Sequence, residues 1–443
     1  MLKITAVLVA KILIFIGRVF GKKGSSTPGH FALMIYPNLL KELAHDIKGG
    51  IIVVCGTNGK TTTNNLARSM LSFGGEKVVC NEVGANMLYG VVTAFAQSAR
   101  LSGRLNADHA CIEIDEISIT KVLDHFIPNI FIITNLFPDQ LDRSGGMDVI
   151  KAHLTAAAEK AKGCTFVLNA DDPIVSSIGH GKSNCVYFGV QGAEKAQECA
   201  EKKGHFCPLC ENELAYGFYH YSSLGDYCCT NCGFSRPKTA FLATDVSVSG
   251  EKTRFTIDGK EIVSDLPGLY NIYNIVAAYA AASFYGVTLN GLNEILSGHT
   301  PQTGRMESFY IGKKVVLNLS KNPAGFNQAI ATIIADKRKK DIVVVINDNA
   351  QDGRDVSWIW DVDFECLCDK SIGEVTASGL RCNDVLVRLK YAQHQNTNCK
   401  PDISAAVRDT LKANGDVLYV LVNYTALFQT QKILKALEGE KTN

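Results

Sequence analysis

Short apolar runs alternate with longer segments of helical periodicity in the first part of the chain. The runs are nearly continuous, as in strands buried on both faces, and they cover residues 51–55, 110–114, 130–134 and 165–168. Helical segments separate them, most clearly at residues 62–73 and 147–161. Strands and helices in this rhythm predict an α/β fold with a parallel sheet and right-handed crossovers.

The alternation stops at about residue 194 and resumes in a second block near residue 302. The segment between them contains a polar, cysteine-rich stretch, a β-rich stretch and a predicted helix at 274–285. The second block contains predicted strands and one terminal helix, at residues 315–319, 342–346, 417–422 and 427–437. We therefore predict a larger domain at 1–300, with an insertion at about 200–238, and a smaller α/β domain at 301–443.

Residues 1–20 are apolar, but Lys11 and Arg18 interrupt them. No uncharged stretch reaches the roughly 20 residues that a membrane span needs. We predict an amphipathic helix packed on the first domain. The alternative is a helix lying on a membrane surface, since anionic lipid would suit the basic residues Lys3, Lys11, Arg18, Lys22 and Lys23.

Composition narrows the class of protein. The chain has 443 residues, of which 46% are hydrophobic and 20% charged, and its formal net charge is +1. No basic block suggests nucleic acid, so we predict no nucleic-acid partner. Most of the 15 cysteines stand singly in apolar runs, as expected of reduced thiols in a cytoplasmic protein.

A glycine loop follows the first predicted strand and leads into a helix. Its sequence is Gly56-Thr57-Asn58-Gly59-Lys60-Thr61-Thr62. A loop in this position directs backbone N–H groups and the positive end of a helix dipole at a phosphate. Lys60 can reach the β- and γ-phosphates, and the Thr61 or Thr62 hydroxyl can hold Mg²⁺. The loop predicts ATP binding.

Acidic residues at the end of the strand 110–114 could complete the magnesium site. Mg²⁺ prefers carboxylates, phosphate oxygens and waters, and ligands bind at the carboxyl ends of parallel strands. Glu113 is our first choice as the ligand and Glu116 the second. The alternative is a solvated acidic turn without a metal.

Two C-x-x-C pairs stand in the insertion, formed by Cys207 with Cys210 and Cys229 with Cys232. Their separation is that of a four-thiolate zinc ribbon, in which no coordination position remains for water. We predict a structural Zn²⁺ site. Cys228, beside Cys229, stays open as an alternative ligand.

The compact loop resembles that of the Mur ligases and folylpolyglutamate synthases. Further stretches resemble motifs of this family in the same order, namely residues 134–143, 169–173, 268–274, 304–307 and 320–321. The resemblance implies a Mur-ligase-type central ATPase domain. It also implies that Asn271 and Asn274 lie near the adenine, that Arg305 contacts the γ-phosphate, and that Lys321 belongs to the nucleotide site.

Three departures from the family pattern are informative. The stretch before the loop is too short for the family's nucleotide-sugar-binding domain. Gln140 stands where the family often has a metal-binding histidine, and Leu319 replaces an aspartate. One branch resembles this chain further, at residues 318–325, 347–361 and 423–427: the ligase-like MurT subunits of lipid II isoglutaminyl synthase.

The branch resemblance implies a reaction. ATP phosphorylates the α-carboxylate of D-glutamate in the lipid II stem peptide, and ammonia converts the acyl phosphate to D-isoglutamine. The resemblance implies that the ammonia comes from a GatD-type glutamine amidotransferase partner, and that the protein works at the inner face of the cell membrane. The alternatives are a stand-alone amide ligase that adds an amino acid and a non-catalytic regulatory subunit.

An acidic segment follows the predicted strand 342–346. It contains Asp348, Asp352 and Asp355. Considered without the resemblance, the spacing of these acids is explained by a tight turn whose carboxylates are solvated. The resemblance implies instead that an acid completes the partner's Cys–His pair by orienting the histidine. Asp355 is the residue expected in this catalytic role, with Asp352 as the second choice; Lys60 and Glu113 are the catalytic residues expected at the ATP site.

Overall fold

The computed structural model contains two large sheets, each with helices on both faces, and a small two-stranded sheet. It describes residues 1–20, 26–81, 85–138, 146–191, 205–249, 251–298 and 304–442. The architecture confirms the predicted α/β fold. The boundary at 300/301 falls outside the described residues and stays a prediction.

The first sheet has nine strands. In chain order these are β1 (Gly50–Cys55), β2 (Val78–Cys80), β3 (His109–Glu113), β4 (Ile130–Ile133), β5 (Thr165–Asn169), β6 (Cys185–Val190), β9 (Phe241–Val248), β10 (Thr253–Ile257) and β11 (Lys260–Ser264). Their spatial order is β11-β10-β9-β6-β5-β4-β1-β3-β2. The strands from β2 to β9 in this order run parallel, and β10 and β11 add an antiparallel edge.

Helices cover both faces of this sheet. One face packs against α1 (Leu2–Val19), α2 (Thr27–Ile35), α3 (Leu39–His45), α5 (Leu88–Ser98), α6 (Ile119–Val122), α7 (Met147–Lys160) and α8 (Pro173–Ile178). The other face packs against α4 (Lys60–Phe73), α9 (Leu269–Ser283) and α10 (Leu292–Ser297). The central strands β1 and β4 contain no polar side chain, as expected of strands that are buried on both faces.

The second sheet has the strands β12 (Glu307–Tyr310), β13 (Lys314–Leu319), β14 (Lys340–Val345), β15 (Ile372–Ser378), β16 (Thr397–Cys399) and β17 (Val417–Val422). Their order is β12-β13-β17-β14-β15-β16, with β12 alone antiparallel. Helices α11 (Pro323–Ala335) and α12 (Cys382–Tyr391) pack on one face; α13 (Ile403–Thr410) and α14 (Tyr424–Thr442) pack on the other.

The insertion forms an antiparallel hairpin, β7 (Ala215–Tyr221) and β8 (Leu224–Cys228), between the two cysteine pairs. Its own small core consists of Cys207, Leu214, Tyr227, Cys229 and Phe234. A cluster this small needs further support, which a bound metal ion can supply.

Two helices differ from the sequence prediction. Helix α9 begins at Leu269, five residues before the predicted start, because Gly268 adopts φ +91° and ends the preceding loop there. Helix α1 packs on the domain through Ala6, Val7 and Ala10, as predicted, but its outward face is apolar as well. The prediction of an amphipathic helix was therefore wrong about the exposed face.

Candidate functional site

The glycine loop connects β1 to α4 at the carboxyl end of the central strand. Gly56 and Gly59 adopt φ values of +123° and +81°, which side chains rarely tolerate. A Cβ atom on Gly59 would lie 2.1 Å from Asn274 Oδ1, and one on Gly56 would lie 2.3 Å from Thr134 Oγ1. Both positions therefore require glycine, because the backbone conformation and the close neighbours leave no room for a side chain.

Lys60 is the first residue of α4 and is buried. Its ammonium group donates to the Gly56 carbonyl and to Thr57 O at 3.3 Å, and pairs with Glu116 Oε1 at 3.0 Å. Burial lowers the pKa of Lys60, but the nearby acidic groups, led by Glu116, together outweigh burial and hold the pKa above its ordinary value. Lys60 is therefore a fixed positive charge beside the loop.

Glu113 lies beside the loop because β3 and β1 are parallel neighbours whose register pairs Glu113 with Val54. Thr61 Oγ1 donates to Glu113 Oε2 at 2.7 Å, and Asn86 Nδ2 donates to Oε1 at 3.2 Å. A carboxylate and a hydroxyl in contact fit the donor set of a Mg²⁺ site. The two candidate acids therefore have different partners, since Glu113 contacts Thr61 whereas Glu116 pairs with Lys60.

Asn81 and Asn86 position Glu113, and the sequence prediction missed both. Asn81 follows the edge strand β2 and accepts the Glu113 N–H at 2.9 Å while donating to the Glu113 carbonyl at 2.7 Å. Nothing in the local sequence marks these asparagines. Their role depends on β2 pairing with β3, which is a tertiary property.

A cavity of about 1500 Å³ surrounds the loop and lies between the two sheet domains. Apart from Gly56 and the second-choice ligand Glu116, the residues predicted to bind nucleotide or magnesium all line it: Thr57, Asn58, Gly59, Lys60, Thr61, Thr62, Glu113, Asn271, Asn274, Arg305 and Lys321. Burial lowers the pKa of the Arg305 guanidinium, while the nearby Glu113 carboxylate opposes that shift. The cavity is large enough for a nucleotide and part of a second substrate.

Asn271 and Asn274 lie one helical turn apart on α9. Asn274 Oδ1 accepts from Thr63 Oγ1 at 3.2 Å, and Asn274 Nδ2 donates to Asn271 Oδ1 at 3.1 Å. The pair therefore ties α9 to α4, the helix that starts at the phosphate loop. Their predicted place beside the adenine stays a prediction.

The loop also touches the second domain directly. Asn58 Nδ2 donates to Asn322 Oδ1 at 3.2 Å, and Asn322 Nδ2 donates to Asn58 Oδ1 at 3.1 Å. Asn322 also caps α11 by accepting from Gly325 N at 2.8 Å. This reciprocal amide pair holds the phosphate loop against the start of a second-domain helix, and no local sequence pattern predicts the contact.

The four predicted cysteines converge. Sγ atoms of Cys207 and Cys232 lie 3.6 Å apart, those of Cys210 and Cys229 lie 3.5 Å apart, and all four are within 4.8 Å of one another. Four thiolates around a metal at about 2.3 Å leave their sulfurs roughly 3.8 Å apart, so the cluster fits a tetrahedral ion. Cys228 is exposed and outside the cluster, which favours Cys229 as the ligand.

Asp171 joins the ribbon to the first sheet. It is fully buried and accepts from Arg236 Nε and from Tyr273 OH, each at 2.6 Å, and from Val190 N at 2.9 Å. Arg236 follows the second cysteine pair, whereas Tyr273 belongs to α9. The buried network fixes the ribbon to the helix that carries Asn271 and Asn274.

The three acids of the segment after β14 have different surroundings. Asp355 is exposed, and the Ser357 backbone N–H donates to it at 2.8 Å, which lowers the pKa of its carboxyl. Asp352 is buried and accepts from the Thr425 N–H at 2.8 Å and from the Thr425 hydroxyl at the start of α14. Asp348 pairs with Arg381 at 3.5 Å. Of these three acids, only Asp355 is exposed.

Some residues of interest lie outside the described part of the chain. They include Gln140, which stands where the family often has a metal-binding histidine, and the basic residues Lys22 and Lys23. Leu319 is described and ends β13, where it lines the cavity.

Two family descriptions match the chain. Residues 54–232 match "Mur ligase middle domain" and residues 319–427 match "MurT ligase C-terminal". The first range contains the phosphate loop, Glu113 and the four cysteines; the second contains Lys321 and Asp355. Together the two matches span more than half of the chain.

Curated relatives and solved structures agree with these matches. The chain is 32% identical to the "Lipid II isoglutaminyl synthase (glutamine-hydrolyzing) subunit MurT" of Staphylococcus aureus (strain COL), over 98% of each chain. It is 34% identical to the same-named protein of Streptococcus pneumoniae (strain ATCC BAA-255 / R6), over 93% of this chain and 92% of that one.

Structural neighbours share the fold at lower identity. A pseudomurein peptide ligase type C from Methanothermus fervidus superimposes with TM-score 0.69 at 24% identity, covering 88% of this chain and 79% of the other. MurF ligase from Thermotoga maritima in complex with ADP gives 0.67 at 13% identity, covering 93% and 85%. From the family matches and the near full-length relatives, we conclude that this chain belongs to the MurT family of Mur ligases.

Proposed function

We propose that the chain is the ATP-dependent ligase subunit of a lipid II isoglutaminyl synthase, an enzyme of peptidoglycan synthesis. The observation that carries the proposal is the cluster of Lys60, Thr61 and Glu113 at the phosphate loop, inside a cavity shared by the two domains of a MurT-family chain. A buried lysine and an anchored carboxylate suit a phosphoryl-transfer site.

The first half of the proposed reaction is carboxylate activation. An oxygen of the D-glutamate α-carboxylate attacks the γ-phosphorus of ATP, the bond to the β-phosphate oxygen breaks, and ADP leaves. Lys60 and Arg305, which both line the cavity, would neutralise the charge that spreads over the transferred group. Thr61 and Glu113 would hold Mg²⁺, which would supply positive charge against the phosphates.

The second half is amide formation. Ammonia attacks the acyl carbon, and phosphate leaves as the product D-isoglutamine forms. The ammonia would come from a GatD-type glutamine amidotransferase, whose histidine would be oriented by Asp355. The exposure of the Asp355 carboxylate supports this role, whereas the Asp352 carboxylate already accepts a hydrogen bond from Thr425 N.

The remaining parts of the proposal concern zinc and location. The cysteine cluster would hold a structural Zn²⁺ that stabilises the ribbon, since its four thiolates leave no place for water. The enzyme would act at the inner face of the membrane, where a lipid-linked substrate is found. Among the described residues, no helix has the length and apolar character needed to cross a membrane.

The proposed function is tested by reconstitution. The chain is co-purified with a small amidotransferase and given ATP, Mg²⁺, glutamine and lipid II, and ADP and amidated product are measured. We expect both products to depend on all components. Amide formation with amino acids and no partner would support a stand-alone ligase instead, and ATP binding without turnover in the full mixture would support a regulatory subunit.

A metal-requirement test separates Glu113 from Glu116. Because Glu113 contacts Thr61, we expect Glu113→Gln to raise the Mg²⁺ concentration for half-maximal turnover at least about tenfold. We expect Glu116→Gln to change it by less than about threefold, since Glu116 pairs with Lys60. The reverse order would identify Glu116 as the ligand.

A second test concerns the cysteine ligands and uses adjacent residues as a matched pair. The purified chain should contain about one zinc ion by elemental analysis. Cys229→Ser should lose most of this metal and unfold at a lower temperature, whereas Cys228→Ser should keep it, because Cys228 lies outside the cluster. Equal zinc loss in both variants would contradict the assignment.

A further inference from the structure

The outward face of α1 is built from large apolar side chains. Ile4, Leu8, Ile12, Phe15, Ile16 and Val19 recur every three or four residues, and each is at least 38% exposed. We call these six residues the α1 stripe; it is roughly 22 Å long at 1.5 Å per residue. The opposite face is also apolar, since Ala6, Val7 and Ala10 are fully buried. An exposed apolar face of this length does not suit contact with water.

Exposed apolar residues are concentrated in this part of the molecule. Residues 1–20 contribute nine of the 29 large apolar side chains that are exposed among the described residues. Helix α2 packs along α1 and exposes Phe31 and Met34 in addition. Such a concentration indicates a surface that is covered in the working protein.

Charged side chains border the α1 stripe but do not interrupt it. Lys3 pairs with Glu42 at 3.3 Å, and Lys11 Nζ donates to Gln97 O at 2.7 Å, so both bind the domain. Arg18, near the end of the helix, is exposed and also lines the large cavity. Apolar residues flanked by basic ones are typical of helices that lie in a membrane interface.

Helix α1, which carries the stripe, also borders the large cavity. Ile14 and Arg18 of α1, together with Ser26, line the same cavity as the phosphate loop. Met87, at the start of α5, also lines it and is 59% exposed. One helix therefore presents its outer face to the surroundings and also borders the cavity that contains the phosphate loop.

We propose that the α1 stripe lies on the lipid bilayer, with its side chains in the interface, so that the cavity opens beside the membrane surface. This inference rests on the proposed function for the lipid-linked nature of the substrate. A bilayer is favoured over a protein as the occupant because the adjoining cavity must receive a head group that stays attached to lipid. The helix would lie in the plane of the membrane rather than cross it.

Vesicle flotation without substrate or ATP tests the α1 stripe. Vesicles of phosphatidylcholine with phosphatidylglycerol are mixed with the full chain, the double variant Ile12→Gln/Phe15→Gln, or the control Phe73→Gln/Phe284→Gln. The control residues are 52% and 50% exposed; Phe73 ends α4 and Phe284 directly follows α9, and both of these helices pack on the opposite face of the sheet. We expect the stripe variant to lose at least about tenfold in partitioning, and the control to stay within about twofold of the wild type.

Three results would overturn the proposal: no flotation of the wild-type chain, equal losses in both double variants, or unchanged flotation of the stripe variant. Ile12 and Phe15 do not line the cavity, so folding and nucleotide binding should be unaffected. If the double variant melts early, Ile12→Gln alone should still bind less. A stripe variant that only converts a dimer to a monomer would show that a second copy covers the stripe.

Activity measurements separate this inference from the proposed function. The complex is given substrate either embedded in vesicles or as a water-soluble analogue with a short chain. We expect the stripe variant to keep wild-type turnover on the soluble analogue and to lose turnover on vesicles. Wild-type protein that binds vesicles but amidates neither substrate would refute the proposed function while leaving the membrane-binding surface intact.

Discussion

Lys60→Ala should lower ATP-dependent amidation at least about a thousandfold with either glutamine or free ammonia as nitrogen source. Lys60 is the buried cation at the phosphate loop, and its ammonium group lies against Gly56, Thr57 and Glu116. No other side chain at the start of α4 carries a positive charge. The measurement is the initial rate of ADP and amide formation by the reconstituted complex.

Loss of activity must be separated from loss of folding. Removing Lys60 leaves the Glu116 carboxylate buried without its partner, which is destabilising. The double variant Lys60→Ala/Glu116→Gln removes that charge and should recover the melting temperature without recovering activity. Lys121→Ala, at an exposed site on α6, is the control and should keep wild-type rates. A folded Lys60→Ala protein with normal turnover would refute the proposed site.

Asp355→Asn should reduce glutamine-dependent amidation by roughly 10²- to 10⁴-fold while leaving ammonia-driven amidation near the wild-type rate. The exposed carboxylate at position 355 would orient the partner's histidine, and an amide in its place cannot stabilise a histidine cation. Free ammonia bypasses glutamine hydrolysis, so the ligase half-reaction should continue. Both rates are measured on the same complex at saturating ATP and lipid II.

Two neighbouring aspartates make the test specific. Asp361→Asn changes another exposed acid of the same segment and should affect neither rate. Asp352→Asn should instead lower the melting temperature, because Asp352 is buried and accepts from both the N–H and the hydroxyl of Thr425. Equal loss with glutamine and with ammonia in Asp355→Asn would exclude a role in the glutaminase triad.

The proposed nucleotide site combines residues of both domains. Arg305 and Lys321, on the second-domain side of the cavity, share it with Lys60. The amide pair of Asn58 and Asn322 bridges the same gap. The phosphate-loop lysine and its neighbours can therefore act together with Arg305 only while the domains stay in this arrangement.

The sequence by itself determined the local chemistry and the fold class. Apolar runs located the strands β1, β3, β4, β5, β13, β14 and β17, since strands buried on both faces leave a continuous signal. The glycine loop and the two cysteine pairs could also be recognised in the sequence, because a phosphate loop and a C-x-x-C pair are each formed by a few neighbouring residues.

Only the tertiary structure decided how these parts meet. Because β3 pairs with β1 in parallel, Glu113 lies beside Thr61, whereas Glu116 lies beside Lys60. Burial distinguishes the two aspartates, since Asp352 is buried and Asp355 is exposed. Helix α1 looked amphipathic from its sequence, yet both of its faces are apolar and one is left uncovered. These properties depend on which residues become neighbours across long stretches of chain, and neither composition nor local spacing encodes them.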